Sequence, residues 1–108
     1  MQPLLVLCTC PTRECADTIA RSLVDLHLAA CVNLLPGVHS VYRWQGAVES
    51  TEEVLLLIKT QAARLEEMKV HILMQHPHEL PEIVAVHMDS GLDRYLGWIG
   101  EQTRPSSP

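Results

Sequence analysis

The chain has 108 residues, of which 47% are hydrophobic and 19% charged, and this size and composition predict one globular domain with a single core. Its formal net charge is -5, and its aromatic residues are two Trp and two Tyr, with no Phe. Nucleic-acid binding is therefore disfavoured, because neutralising phosphates requires a basic face and holding single strands requires stacking rings.

The first half of the chain predicts a strand, a helix and a long strand. Residues 4–8 form an uninterrupted apolar run, typical of a strand that is covered on both faces. A helix is predicted over residues 13–28, because apolar residues recur at helical spacing and Thr12 can cap the start. Residues 31–44 predict a long strand with a bend at Pro36-Gly37, since proline cannot donate to a ladder and glycine tolerates a bulge.

The second half continues with a turn at Gln45-Gly46. The later predicted elements are a strand over 47–60, a helix over 62–75, a proline-rich loop over 76–81, a strand over 83–88 and a short helix over 92–99. The order βαββαβ predicts an α+β, ferredoxin-like sandwich with a long hairpin between the second and third strands and a short C-terminal helix. We expect this single domain to cover residues 1–102 and a flexible tail to cover 103–108.

The strands are apolar at successive positions, which has a consequence for assembly. In a ferredoxin-like domain both helices cover one face of the sheet, so the other face should carry polar residues if water reaches it. Residues 4–7, 54–58 and 83–86 are instead apolar throughout. The resulting patch would exceed the roughly 300–600 Å² that monomers usually expose. We therefore expect a partner to cover this face.

The N-terminal apolar run does not predict a signal peptide or a membrane anchor. It lacks a basic start and stops after five residues. No stretch approaches the roughly 20 apolar residues that cross a bilayer. The expected location is cytoplasmic, where the four cysteines are expected to be free thiols or ligands rather than a disulfide framework.

Three of the cysteines are close together near the N-terminus. Cys8 and Cys10 lie two residues apart, so they share one face if both belong to the first strand, and Cys15 returns near them at the helix start. Three thiolates can bind a soft ion such as Cu(I) or Zn. The alternative is structural: Cys8 and Cys31 serve as small buried hydrophobes, and Cys10 and Cys15 are incidental surface thiols.

The loop after the second predicted helix carries the other candidate ligands. It contains His76, His78, Glu79 and Glu82 on a segment stiffened by two prolines. Imidazole and carboxylate groups suit divalent copper or zinc, and they can also act as general acid and base. A purely structural role, such as capping backbone amides or pairing across a subunit boundary, is an equal alternative.

Several short segments, taken in order and with their spacing, resemble the divalent-cation tolerance family, the CutA proteins. They are Ala29-Ala30-Cys31-Val32-Asn33, Tyr42-x-Trp44-x-Gly46, Lys59-Thr60, His76-Pro77 and Pro81-Glu82. The resemblance extends from about residue 6 to about residue 98. It implies a homotrimer in which three sheets face one another around an axis and the long hairpins reach onto neighbouring subunits.

The resemblance also implies a copper site. Its ligands would be a cysteine at Cys8, a histidine just before the His-Pro step, and Glu82. This chain has Gln75 where that histidine belongs, while His76 matches the histidine that follows it and His78 replaces a tyrosine. The predicted metal ligands are therefore Cys8, His76 and Glu82. Whether Cys10, Cys15 or His78 also takes part is left open.

The resulting prediction is a non-enzymatic, cytoplasmic homotrimer that binds divalent cations, copper above others, and contributes to tolerance of them. One alternative is a PII-like regulatory trimer that binds a small effector or a partner protein in the clefts between subunits. Another is a small hydrolase such as an acylphosphatase, in which Arg13 would cradle a phosphate. The sequence lacks the glycine-rich loop that a phosphate cradle would use, so this alternative is disfavoured.

Overall fold

A computed structural model describes residues 1–105 of the chain. The elements are β1 (Pro3–Cys10), α1 (Arg13–Asp25), β2 (Cys31–Trp44), β3 (Ala47–Gln61), a 3-10 turn (Ala62–Arg64), α2 (Leu65–Gln75), β4 (Ile83–His87) and α3 (Asp93–Gln102). The strands form one antiparallel sheet in the order β2-β3-β1-β4. The predicted α+β class and the predicted order of strands and helices are confirmed.

Helix α1 starts where the sequence predicts and ends three residues early. The Thr12 Oγ1 accepts a hydrogen bond of 3.1 Å from the Cys15 amide, which caps the start. The helix was predicted to reach residue 28 but ends at Asp25. The reason is a left-handed His27, with φ of 59°, which turns the backbone so that the Leu28 amide bonds to the Leu23 carbonyl at 2.9 Å.

Strands β2 and β3 form a long hairpin with a bend and a tight turn. The pairing register shifts between Leu35 and Val38, and Gly37 has φ of +77° there, so the predicted bend at Pro36-Gly37 is confirmed. Gln45 and Gly46 both have positive φ, 48° and 83°, which matches the twist of a two-residue hairpin turn. Residues 41–50 are all exposed, so the hairpin tip extends beyond the packed domain.

Alternate residues of the sheet face opposite sides. One side packs against α1 and α2 and forms the core, which includes Val6, Leu56 and Ile58, all fully buried. The opposite side, called the open face below, carries Leu5, Leu7, Leu35, Leu55, Leu57, Val84 and Val86. Leu35, Val84 and Val86 are 51%, 50% and 49% exposed. An apolar second face is thus present on the single chain, as predicted.

The C-terminal helix is tied to β3 by a buried polar contact. The Thr103 hydroxyl donates to the Ile99 carbonyl at 2.7 Å and accepts from the Gln61 amide at 2.9 Å, and Thr103 is fully buried. Thr103 therefore belongs to the packed domain rather than to the predicted tail over 103–108. Residues 106–108 of that tail lie outside the described residues. Within residues 1–105 there is no helix with the length and apolar character needed to cross a bilayer.

Candidate metal site

The C-terminal end of strand β1 positions two of the predicted thiols in the core. Cys8 and Cys10 both point to the helix-covered side of the sheet, because they are two residues apart in one strand. Both are fully buried, and their strand partners on β3 are Leu56 and Val54. The interpretation of Cys10 as an incidental surface thiol is wrong. Strand β1 extends two residues further than predicted, and this extension carries Cys10 into the core.

His76 reaches the same place from the opposite end of the fold. It follows the last residue of α2, and its amide donates to the Ile72 carbonyl at 2.8 Å, which ends the helix. Its Nε2 donates to the Thr9 carbonyl at 2.7 Å, and its Nδ1 accepts from the His78 amide at 3.1 Å. His76 is buried, and these two hydrogen bonds match the tautomer that carries a proton on Nε2.

The donor atoms of Cys8, Cys10 and His76 all lie within 4.8 Å of one another. We call these three residues the thiol-imidazole cluster. Two of them, Cys8 and His76, are predicted ligands. Glu82, the third predicted ligand, is exposed and is not a member of the cluster. The structure therefore places Cys10, and not Glu82, beside Cys8 and His76.

Gln75 is directed toward helix α1. Its Nε2 donates to the Ser22 hydroxyl at 3.4 Å, and that hydroxyl is hydrogen-bonded to His71 Nε2 at 2.6 Å. The Gln75 Oε1 is buried and has no hydrogen-bond partner among residues 1–105. Gln75 also lines a cleft of about 340 Å³ with Cys15 and Pro77. Position 75 thus connects the two helices instead of completing the cluster.

Cys15 lies next to the cluster but outside it. The hydrogen bond with Cys8, together with burial, raises the pKa of the Cys10 thiol well above its usual range, while a hydrogen bond with Cys15 opposes this shift. Burial, together with the neighbouring Cys10, raises the pKa of Cys15 to about 11. Both thiols are therefore protonated at neutral pH, and Cys15 lies outside the group in which the donor atoms of Cys8, Cys10 and His76 converge.

The raised pKa predicts slow alkylation of Cys15. A thiolate is the reacting species, so at pH 8 we expect Cys15 to react with iodoacetamide about tenfold more slowly than in the urea-unfolded chain, after allowing for the greater nucleophilicity of a more basic thiolate. Between pH 7 and pH 9.5 the rate should rise about tenfold per unit without levelling. Peptide mass spectrometry gives the rate for each cysteine. A rate that levels near pH 9 would contradict the raised pKa.

His78 contributes its backbone rather than its ring. Its amide donates to His76 Nδ1, and its ring is tilted against the His76 ring with centroids 4.9 Å apart. The His78 side chain is exposed and does not belong to the cluster, and Glu79 is also exposed. The loop from 76 to 82 therefore sends one imidazole inward and leaves its other candidate ligands in solvent.

A second polar group lies at one end of the open face. Lys59 Nζ donates to Asn33 Oδ1 and lies 4.0 Å from Cys31 Sγ. Burial, with a contribution from Cys31, raises the pKa of Tyr95, whose ring centroid is 5.5 Å from that of Trp98. The sequence gives no periodic signal for Tyr95 as a member of this group, because helix α3 brings it there through the tertiary fold.

The donor chemistry of the cluster fits a soft metal ion. Two thiols and an imidazole are the donors that Cu(I) and Zn(II) prefer, whereas Mg²⁺ and Ca²⁺ require oxygen ligands. The set Cys8, His76 and Glu82 is not assembled within the described residues of the chain, because Glu82 is exposed and lies outside the cluster. The fit to copper thus rests on Cys8, Cys10 and His76.

The comparison with known families identifies the chain. The model of the family described as CutA1 divalent ion tolerance protein matches residues 4–102. The chain belongs to the CutA family. A relative from Thermus thermophilus, the divalent-cation tolerance protein CutA, is 46% identical over 99 residues, covering 92% of this chain and 96% of that protein. The family description and the Thermus name are those of a tolerance protein rather than an enzyme.

Other CutA proteins agree with the fold. The chain is 43% identical over 101 residues to the chloroplastic protein CutA of Arabidopsis thaliana, covering 94% of this chain and 56% of that relative. The structure of CutA1 from Oryza sativa matches with a TM-score of 0.94 and 37% identity, covering 98% of this chain and 97% of that chain. The Thermus structure matches with a TM-score of 0.92 and 46% identity, covering 94% and 98%.

Proposed function

We propose that this CutA-family chain is a non-enzymatic homotrimer that binds metal cations, copper above others, and thereby contributes to divalent-cation tolerance. The observation that carries the proposal is the thiol-imidazole cluster within a domain of this family. Buried, converging thiol and imidazole groups are the donors by which proteins hold copper and zinc. The cluster contains two of the predicted ligands, Cys8 and His76. The third predicted ligand, Glu82, lies outside the cluster, and a variant at this position must test whether it contributes to metal binding.

The open face supports the trimeric part of the proposal. Its seven apolar side chains are left partly or half exposed by the single chain. Burying each one fully would contribute roughly 1.5–3 kcal/mol, so covering the face strongly favours association. Two further copies of the same chain supply matching apolar faces, in line with the arrangement that the family resemblance implies. The strand order β2-β3-β1-β4 supports the ferredoxin-like assignment on which that arrangement depends.

The cysteines support a reducing location, which we propose to be the cytoplasm. All four are free, including the adjacent thiols Cys8 and Cys10. Free buried thiols suit a compartment where disulfides are kept reduced. The hydrolase alternative has little support, because Arg13 is exposed at the start of α1 and is not enclosed by a loop.

One observation favours the PII-like alternative. The group formed by Asn33, Lys59 and Tyr95, with Trp98 beside it, combines an ammonium, an amide and aromatic rings at the end of the open face. Such a combination suits a small anionic effector held at a subunit boundary. Metal binding remains the leading proposal, because the cluster is buried and its donors already converge.

The test is selective retention of metal by the reduced protein. After incubation with copper and magnesium together under anaerobic reducing conditions and then desalting, we expect about one copper per chain and no retained magnesium, measured by inductively coupled plasma mass spectrometry. Cys8→Ser should lose the copper. Cys31→Ser removes a thiol outside the cluster and is the matched control that should keep it. Copper retained no better than magnesium by the wild type would contradict the proposal.

A further inference from the structure

We propose that Cys8, Cys10 and His76 form a closed site for Cu(I) within each subunit, with Cys10 as a ligand and Glu82 excluded. This inference rests on the proposed metal-binding function and specifies the oxidation state and the ligand set. It departs from the set of Cys8, His76 and Glu82, because the carboxylate is exposed while the second thiol is fully buried beside the first.

The spacing of the donors suits one shared ion. Copper and zinc bind thiolate sulfur at about 2.3 Å, so three donors in a plane around one ion lie about 4 Å apart. The three donor atoms of the cluster already lie within 4.8 Å of one another. Side-chain movements of less than about 1 Å therefore bring them into bonding positions, which is within the range of ordinary rotamer adjustment.

The number and type of donors in the cluster distinguish between the candidate metal ions. Cys8, Cys10 and His76 are 0%, 0% and 8% exposed, so water does not complete the shell of a bound ion. Zn(II) in closed sites takes four ligands, Mg²⁺ and Ca²⁺ take six or more oxygens, and Cu(II) prefers a tetragonal set of nitrogen and oxygen. Cu(I) is soft and is satisfied by two thiolates and an imidazole, and its binding displaces the protons of the two thiols to solvent. A three-donor, sulfur-rich and dry site therefore favours Cu(I).

The hydrogen bonds of His76 prepare one nitrogen for the metal. A histidine that binds a metal commonly donates its other ring N–H to a backbone carbonyl, which fixes the tautomer. Here Nε2 donates to the Thr9 carbonyl, and this leaves the lone pair on Nδ1. That lone pair now accepts from the His78 amide, which lies in an exposed loop. Cu(I) binding through Nδ1 would replace the hydrogen bond from the His78 amide and leave the Thr9 contact intact.

The test is a Cu(I) competition titration on the full chain, with bicinchoninate as the competing chelator and without oxygen. Cys10→Ala should weaken Cu(I) binding by about a hundredfold or more, since loss of even an indirect partner of a ligand costs 10–100-fold. Glu82→Gln should leave the affinity unchanged. Cys31→Ala is the matched control, because it removes a thiol that is outside the cluster and lies beside Lys59 instead. Circular dichroism verifies that each variant is folded.

X-ray absorption of the copper-loaded wild type gives a readout that does not depend on any variant. We expect two sulfur donors and one nitrogen donor per Cu(I). One sulfur with oxygen donors, together with weaker binding by Glu82→Gln, would overturn the inference while leaving the proposed metal-binding function intact. If the wild type binds copper in neither oxidation state, the inference and the proposed function both fail.

Discussion

Replacing Leu57 with aspartate should convert the proposed trimer into monomers or aggregates. Leu57 is on the open face, where it is paired with Leu7 on β1 and Asn33 on β2. A carboxylate buried without a partner costs several kcal/mol, and a trimer contains three copies of the change. Sedimentation equilibrium should show a trimer for the wild type even at low concentration and smaller species for Leu57→Asp.

Leu73→Asp provides the matched control for that experiment. Leu73 is 54% exposed on α2, which packs on the other side of the sheet, so the same change of residue there should leave the trimer intact. A wild-type chain that remains monomeric at micromolar concentration would overturn the proposed assembly. A Leu57→Asp variant that remains a stable trimer would show that the open face is not the interface.

Replacing the adjacent residue, Leu56, with alanine should destabilise the fold itself. Leu56 faces the core and is fully buried, between β1 and β2 within the sheet. Removing buried leucine atoms and leaving a cavity costs about 2–5 kcal/mol, which is a large part of the stability of a small domain. Urea unfolding at one fixed protein concentration should show this loss.

Leu73→Ala is the control for the core substitution, because an exposed side chain changes stability by about 0.5 kcal/mol or less. A loss in Leu56→Ala no greater than in Leu73→Ala would contradict the assignment of Leu56 to the core. The two neighbouring positions, 56 and 57, thus separate folding from assembly, since strand geometry sends their side chains to opposite faces.

Local patterns in the sequence were sufficient to predict the order of the elements. The Pro36-Gly37 bulge and the Gln45-Gly46 turn were predictable because their backbone requirements are local. The end of α1 was not, because the apolar spacing continues through Leu28 while a left-handed His27 ends the helix. Leu28 is buried although it lies beyond the end of the helix, and its burial explains why an apolar residue occurs at that position.

The candidate site was predictable in part. The contact between Cys8 and His76 follows from topology, because Cys8 pairs with Ile83 on β4 and only a short loop separates Ile83 from His76. The direction of Glu82 does not follow, since the side chains in a loop lack the alternation that fixes those in a strand. Cys10 lies two residues from Cys8 and so shares its face of the strand, yet its burial depends on β1 continuing beyond the apolar run over residues 4–8.

The central claim is that the thiol-imidazole cluster is the metal site of this CutA-family chain. An anomalous difference map at the copper edge, from crystals grown with Cu(I) under reducing conditions, tests it most directly. We predict one peak in each subunit, between the Cys8 and Cys10 sulfurs and a ring nitrogen of His76. Peaks beside Glu82 or in the clefts between subunits, with none in the cluster, would contradict the account.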